Sequence, residues 1–85
     1  MNAAHMSRAE CSHRRYQARY RIREALEARD MNMTELARRI GISAVAVQNT
    51  VKGKNHSARV LDALREAGVP ERYLFDPNAA RAETA

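Results

Sequence analysis

The sequence predicts an all-α domain of four to five short helices, and three observations lead to this fold class. Apolar residues recur at intervals of three and four, Ser, Asn and Gly stand where helices would begin and end, and no β-hairpin pattern is present. With 85 residues, of which 45% are hydrophobic, the chain has room for one small domain. A domain of this size buries only about 60% of its unfolded surface, so close helix packing or dimerisation is expected to stabilise it.

The first predicted helix covers residues 16–29, where Ile22 and Leu26 lie four positions apart among good helix formers. The preceding residues 1–15 are polar and carry no apolar periodicity. This pattern is typical of a flexible arm, and its basic side chains make the arm positively charged. The ordered domain is therefore predicted to begin near residue 16.

The second predicted helix covers residues 33–40 and has a signal at each end. Asn32 is a good N-cap, and Glu35 follows it at the spacing of a capping box. Gly41 is predicted to end the helix, because the residue just past a helix terminus often adopts a positive φ angle.

The third predicted helix covers residues 44–52 and begins at the N-cap Ser43. Val47 and Val51 are expected to face inward, one helical turn apart. The three valines of this stretch leave a β-strand as the competing interpretation. The serine cap and the following Gly53 favour the helix.

The C-terminal part of the chain predicts one more helix and a closing turn. Ser57 is the expected N-cap of a fourth helix over 58–67, and Pro70 is expected to open a short fifth turn. These elements together define a predicted domain at 16–77, followed by a disordered tail at 78–85.

The charge of the chain is distributed unevenly. The net charge is +5, from fifteen Lys and Arg against ten Asp and Glu. Residues 1–59 hold twelve basic and five acidic residues, a balance of +7, whereas residues 60–85 have a balance of −2. The positive charge of the first two thirds indicates a polyanionic partner.

Several classes of protein are excluded by what the sequence lacks. The single Cys11 and the scattered histidines do not form a metal-binding pattern, so no metal is expected. No nucleophile paired with a base and no Gly-rich phosphate loop is present, so the chain is not predicted to be an enzyme or to bind a cofactor or small-molecule ligand. No apolar run approaches the roughly 18 residues of a membrane span, and a cytoplasmic location is expected.

The second and third predicted helices and the turn at Gly41 constitute a helix-turn-helix on physical grounds. Ala37 is small where the two helices would cross closely, and Leu36, Ile40 and Val47 are placed to hold the crossing angle. The third helix would then project from the surface. A single projecting helix fits the major groove of DNA.

Residues 36–43, followed by Val47, by Lys52-Gly53 and by Asn55, resemble the lambda-repressor-like (Cro/C1, XRE) helix-turn-helix superfamily. The likeness extends over about residues 22–77 and includes the order of the helices. Within the superfamily, residues 51–60 resemble small phage and prophage regulators of the Ner-like kind.

The resemblance implies that the third helix is the recognition helix. Well-known members often have Gln at the start of both motif helices, where this chain has Met33 and Ala44, so amide readout is expected from Gln48 and Asn49 instead. The residues expected at base edges are Ala44, Val45, Gln48, Asn49 and Asn55. Those expected near phosphates are Ser43, Lys52, Lys54, His56, Arg59, Thr34 and Arg38, with a purely solvent-facing role equally open for Thr34 and Arg38.

The N-terminal arm is expected to add DNA contacts through Arg14, Arg15 and Arg19. It could follow the backbone, enter a minor groove or only raise the local concentration on DNA, and the sequence leaves these alternatives open. Tyr16 and Tyr20 are expected to be core or staple residues rather than platforms for base stacking.

These features predict a sequence-specific regulator of transcription that binds double-stranded DNA at the nucleoid, of the phage or prophage repressor type. A homodimer on an inverted repeat is expected, because one recognition helix reads only a few base pairs. Two other classes stay open: an antitoxin-like module that binds a protein and DNA only secondarily, and a non-specific nucleic-acid-binding protein.

Overall fold

A computed structural model describes residues 6–78, and every regular element in this part of the chain is helical, which confirms the all-α prediction. The elements are α1 Arg8–Gln17, α2 Arg19–Glu27, α3 Met33–Ile40, α4 Ala44–Val51, α5 Ala58–Glu66 and a single 3-10 turn at Glu71–Tyr73. No helix within residues 6–78 is long and apolar enough to cross a membrane. Of the tail predicted at 78–85, all but Asn78 lies outside the described residues.

Side-chain caps determine where four of the helices begin. In each case a side-chain oxygen accepts a hydrogen bond from the backbone N–H three residues later, which satisfies one of the N–H groups that a helix leaves without an internal partner. The caps are Ser7 on Glu10, Asn32 on Glu35, Ser43 on Ala46 and Ser57 on Val60. The predicted caps Asn32, Ser43 and Ser57 are confirmed.

The N-terminal segment differs from its prediction. The flexible arm predicted for residues 1–15 is wrong for residues 8–15, which belong to α1. The single helix predicted over 16–29 is also divided, because the backbone leaves helical geometry at Ala18, with φ −89° and ψ 1°. Because α1 turns Cys11 and Arg15 inward instead of aliphatic side chains, its buried face has no apolar periodicity.

The core lies between α2, α3, α4 and α5, and aliphatic side chains fill it as predicted. Ile22 and Leu26 of α2 and Leu36 and Ala37 of α3 belong to this core, and all four are nearly or fully buried. The other fully enclosed members are Val47, Val51, Val60, Leu61, Leu64 and Leu74. Their burial fixes one face of α4 and leaves the opposite face outside the core.

The turn between α3 and α4 is short and well bonded. Gly41 adopts φ 73°, as predicted. The N–H of Ile42 donates to the carbonyl of Ala37 at 3.0 Å, and the N–H of Gly41 donates to that of Arg38 at 3.3 Å. These bonds satisfy two carbonyls at the end of α3 and set the direction in which α4 leaves.

The turn after α4 is pressed against α1. Gly53 has φ 83° and is buried. A Cβ atom at this position would lie 2.1 Å from the carbonyl oxygen of Ser12 on α1, which is far inside van der Waals contact. Gly53 therefore serves two purposes, since it provides the left-handed backbone and it lets two backbones approach closely.

At the C-terminal end of the described chain, Arg65 of α5 binds three carboxylates. Its guanidinium lies 2.7 Å from Asp62, 2.6 Å from Glu71 and 2.7 Å from the buried Asp76. The bond to Glu71, with that to Asp76, raises the pKa of Arg65 well above its ordinary value. This cluster attaches the 3-10 turn and the segment after it to α5.

We predict that Gly53→Ala destabilises the domain more than Gly41→Ala. Both positions have a positive φ, which costs a residue with a Cβ about 1–2 kcal/mol, but a Cβ at Gly41 would meet only the end of the Arg59 side chain at 3.8 Å. Gly53→Ala must in addition displace the Ser12 backbone. Urea denaturation of both variants measures the difference, and equal losses of unfolding free energy would contradict the close contact between Gly53 and α1.

Candidate nucleic-acid interface

Helix α4 presents one narrow exposed stripe. Val45, Gln48 and Lys52, at its first turn, its middle and its C-terminal cap, are the exposed positions, and Val45 is 63% exposed. Intervals of three and four place these residues on one face of a helix. The opposite face, with Val47 and Val51, is buried in the core, so the stripe is held on a rigid support.

Two of the residues predicted to face bases lie at the border of this stripe. Ala44 was expected to point outward but is half-buried and packs against the core. Asn49 is also half-buried. Val45, Gln48 and Lys52 are therefore the positions of α4 and its C-terminal cap that are most open to solvent.

A groove between α2 and α4 runs beside the stripe. Its lining includes Arg19, Tyr20 and Arg23 from α2, and Gln48 and Lys52 from α4 and its cap. Three cations and no carboxylate line it, which makes it attractive to an anion. A neighbouring groove shares Arg23 and Gln48, extends to Thr34 at the start of α3 and includes Glu27.

Sequence reasoning missed Tyr20 and Arg23 as members of this surface. Tyr16 and Tyr20 are predicted to be core or staple residues; they are 44% and 59% exposed, so neither lies in the core. Both rings flank the guanidinium of Arg19, at 3.7 Å for Tyr16 and 4.4 Å for Tyr20. Arg19 is thus the first residue of α2, stacked between two rings, and not part of a flexible arm.

The predicted DNA contact by Arg15 is wrong, because this residue is fully buried and cannot reach DNA. All five of its N–H groups donate to other parts of the chain at 2.7 to 3.2 Å. Burial lowers the pKa of its guanidinium, and the nearby Asp76 carboxylate acts in the opposite direction. The acceptors are the carbonyls of Thr50, Leu74, Phe75 and Asn55, and Nδ1 of His56.

The prediction of phosphate contact by His56 is also wrong, because both of its ring nitrogens are engaged within the fold. Nδ1 accepts from Arg15 at 2.7 Å, which places the ring proton on Nε2, 3.2 Å from the Ser12 hydroxyl. That hydroxyl donates in turn to the carbonyl of Arg8 at 3.1 Å. Burial, and then the charges of Arg15 and Arg8, lower the pKa of His56, so the ring is held neutral.

The loop between α4 and α5 is held by its own side chains as well. The Oδ1 atom of Asn55 accepts from the Thr50 hydroxyl at 2.5 Å and from the Ser57 N–H at 3.4 Å. Base contact by Asn55 stays a prediction, and this geometry limits it to the amide N–H groups. Lys54 is exposed, and its backbone N–H donates to the carbonyl of Asn49 at 2.9 Å.

The other residues predicted near phosphates lie on the surface around the motif. Thr34 and Ser43 are exposed at the starts of α3 and α4. Arg38 is exposed and pairs with Glu35 at 2.5 Å. Arg59, exposed near the start of α5, donates to the carbonyl of Ile40 at the end of α3. Arg14 is exposed on α1, in the helix that replaces the predicted arm.

Within residues 6–78, no three His, Cys, Asp or Glu side chains lie together in a way that could hold a metal ion. Cys11 is fully buried at the inner face of α1. Burial raises the pKa of its thiol.

Comparison with known proteins identifies one family. The model of the Cro/C1-type HTH DNA-binding domain matches residues 21–67, just over half of the chain. The matched segment covers nearly all of α2 and all of α3, α4 and α5, and it leaves α1 outside. No curated protein and no solved structure gave a significant match.

We predict that acid weakens the fold through His56. The pKa of His56 lies below its ordinary value of 6.5 in the folded chain, so the unfolded chain binds the proton more readily. The stabilising contribution is therefore complete above about pH 6.5 and declines as the pH falls below it. Urea denaturation between pH 5 and 8 should show this slope. His56→Gln should flatten it, whereas the exposed control His13→Gln should not; an equal slope in His56→Gln would contradict the assignment.

Proposed function

The chain belongs to the family of Cro/C1-type helix-turn-helix DNA-binding domains, and from this premise we propose that it regulates transcription by reading a specific double-stranded DNA sequence. The observation that carries the proposal is the exposed stripe Val45, Gln48 and Lys52 on α4, supported from behind by the core and bordered by a cationic groove. A helix with these properties is suited to the major groove.

Base reading is assigned to the middle and the start of the stripe. The Gln48 amide has both donors and an acceptor, the pattern that pairs with the edge of adenine. Val45 offers an apolar contact for the methyl group of thymine. Ala44, Asn49 and the amide N–H groups of Asn55 are proposed to contact bases at the border of the stripe.

Phosphate contacts are proposed for two groups of side chains next to α4. The first lines the grooves between α2, α3 and α4: Arg19, Arg23, Lys52 and Thr34. The second surrounds the turn before α4 and the loop after it: Ser43, Lys54, Arg59 and Arg38. Such contacts fix the position of the recognition helix on the duplex and supply most of the salt-dependent affinity.

A homodimer acting as a repressor of the phage or prophage type in the cytoplasm completes the proposal. The stripe on α4 spans only two turns and can read few base pairs, so two half-sites about one helical turn apart would provide the specificity that a regulator needs. Sedimentation of the protein with and without its site measures the stoichiometry.

The experiment that tests the function is selection of bound sites from a random pool of double-stranded DNA. The proposal expects one enriched sequence, arranged as an inverted repeat, that random-sequence DNA competes with poorly. Equal competition by random DNA would overturn sequence-specific regulation and favour a non-specific nucleic-acid-binding protein.

We predict that Gln48→Ala reduces the discrimination between the selected site and random DNA by about 1–3 kcal/mol, the usual value of one lost bidentate contact to a base. Gln17→Ala is a matched control, because Gln17 is also an exposed helical glutamine but lies on α1. Competition binding at constant salt measures both variants. Unchanged discrimination in Gln48→Ala would remove this residue from base reading.

We predict that Lys54→Ala and Arg23→Ala weaken binding to the selected site and to random DNA alike. Each should flatten the slope of log affinity against log salt by about 0.9, the value for one released phosphate contact. Arg72→Ala, at the exposed 3-10 turn, is the control and should leave the slope unchanged. A steep slope retained in Arg23→Ala would show that the groove between α2 and α4 does not receive a phosphate.

A further inference from the structure

Helix α1 lies outside the segment that the family model matches, yet it contacts the part of the chain next to the recognition helix. Arg15 of α1 donates from Nε to the carbonyl of Thr50 in the last turn of α4, at 2.7 Å. It donates from Nη2 to the carbonyl of Asn55 in the following loop, also at 2.7 Å. One side chain thus joins the end of α4 to the loop that carries Lys54.

The other nitrogen of the guanidinium joins a third segment. Nη1 donates to the carbonyls of Leu74 at 2.8 Å and Phe75 at 3.2 Å, after the 3-10 turn. None of the groups that accept a bond from Arg15 is a carboxylate; the nearby Asp76 binds Arg65 instead. The buried charge is therefore compensated by carbonyl dipoles arranged around a planar fork, which the single ammonium of a lysine cannot reproduce.

The backbone of α1 contacts the same loop independently. The carbonyl of Ser12 lies where a Cβ at position 53 would be, between the lysines at 52 and 54. The hydroxyl of Ser12 also holds the ring of His56, two residues beyond Lys54. Residues 50–56 therefore meet α1 at four places: Gly53, His56 and the two carbonyls bound by Arg15.

We propose that Arg15 is a positioning residue for DNA binding: without touching DNA, it holds the end of α4 and the loop 52–57 in the arrangement that presents Lys52, Lys54 and Asn55. The effect of Arg15 on DNA binding rests on the proposed function. The positioning of the loop is a property of the free protein. The aliphatic core around Val47 and Val51 does not include α1. Loss of the Arg15 bonds therefore loosens the loop more than it loosens the core.

The proposal has a signature that a purely structural role lacks, namely a pH profile of DNA affinity. A proton on Nδ1 of His56 would face an N–H of Arg15, donor against donor, and would force the two groups apart. The charged groups that face His56 are Arg8 and Arg15 from α1 and Asp76 from the C-terminal segment. DNA affinity should fall as the pH drops below 6.5, the ordinary pKa of histidine, and this fall should require Arg15.

The test compares Arg15→Met with Val69→Ala, a truncation of a buried core side chain in the segment after α5. Both variants are measured under conditions in which urea titration shows each of them to be at least about 95% folded. Amide hydrogen exchange is followed at residues 50–57 of the free protein, and affinity for the selected site is followed between pH 5 and 8. Arg15→Lys, which keeps the charge and part of the bonding, replaces Arg15→Met if the latter does not fold.

For Arg15→Met we expect the rate of amide hydrogen exchange in the loop to increase by at least tenfold more than the rate in α2. Affinity for the selected site should fall at least tenfold, and its pH profile should be flatter. Val69→Ala should change affinity less than twofold and keep the profile. If Arg15→Met binds DNA as Val69→Ala does, or if its loop exchanges as in the wild type, the proposal is overturned. If the wild type binds no selected DNA, the proposed function fails, and loop exchange alone then supports or overturns the positioning role.

Discussion

The fold depends on taking one positive charge out of water and satisfying it completely. An isolated cation in a protein interior costs several kcal/mol or more, and a buried charge that loses its partners is strongly destabilising. Arg15 avoids this cost by donating to four carbonyls and one imidazole, contributed by three segments that are 35 to 60 residues away in sequence. These five bonds join α1, the loop after α4 and the C-terminal segment. Arg15 and two of its acceptors, Leu74 and Phe75, lie outside the segment 21–67 that the family model matches.

The surface around the motif has two parts, the stripe on α4 and the loop 52–57, and the same constraint explains why different interactions hold them in place. The stripe on α4 is fixed by aliphatic packing, most of which comes from the segment 21–67, with Val69 and Leu74 added from beyond it. The loop 52–57 packs few apolar groups and relies on polar bonds from α1. Local stability in proteins follows such differences, and segments with few buried apolar contacts open most easily. The proposed reading of bases thus uses the rigid part of the fold, and the proposed phosphate contact by the loop uses the part that α1 supports.

Sequence predicted well those features that depend on neighbours within about four residues. The caps Asn32, Ser43 and Ser57 and the left-handed Gly41 are local signals, and the aliphatic periodicity of α4 correctly indicated which face is buried.

The predictions that failed involve partners distant in sequence. The sequence predicts Arg15 as a DNA contact from its place in a basic arm and His56 from its place near the start of a helix, and only the hydrogen-bond partners brought together by the fold reveal otherwise. The groove with Tyr20 and Arg23 likewise exists only when α2 lies beside α4. One local signal was available for α1: Ser7 followed by Glu10 has the spacing of a capping box.

The close approach of Ser12 to Gly53 also has a consequence for how related chains can vary. A chain without an equivalent of α1 can place asparagine or another residue that tolerates a positive φ at the position of Gly53, because nothing then occupies the space of its Cβ. A chain that keeps α1 in this place is confined to glycine there, and in the present chain Arg15, three residues after Ser12, makes the bonds that join α1 to the loop. The two positions should therefore be gained and lost together among relatives, and this paired pattern, rather than the helix-turn-helix itself, would distinguish the chains that carry the additional helix.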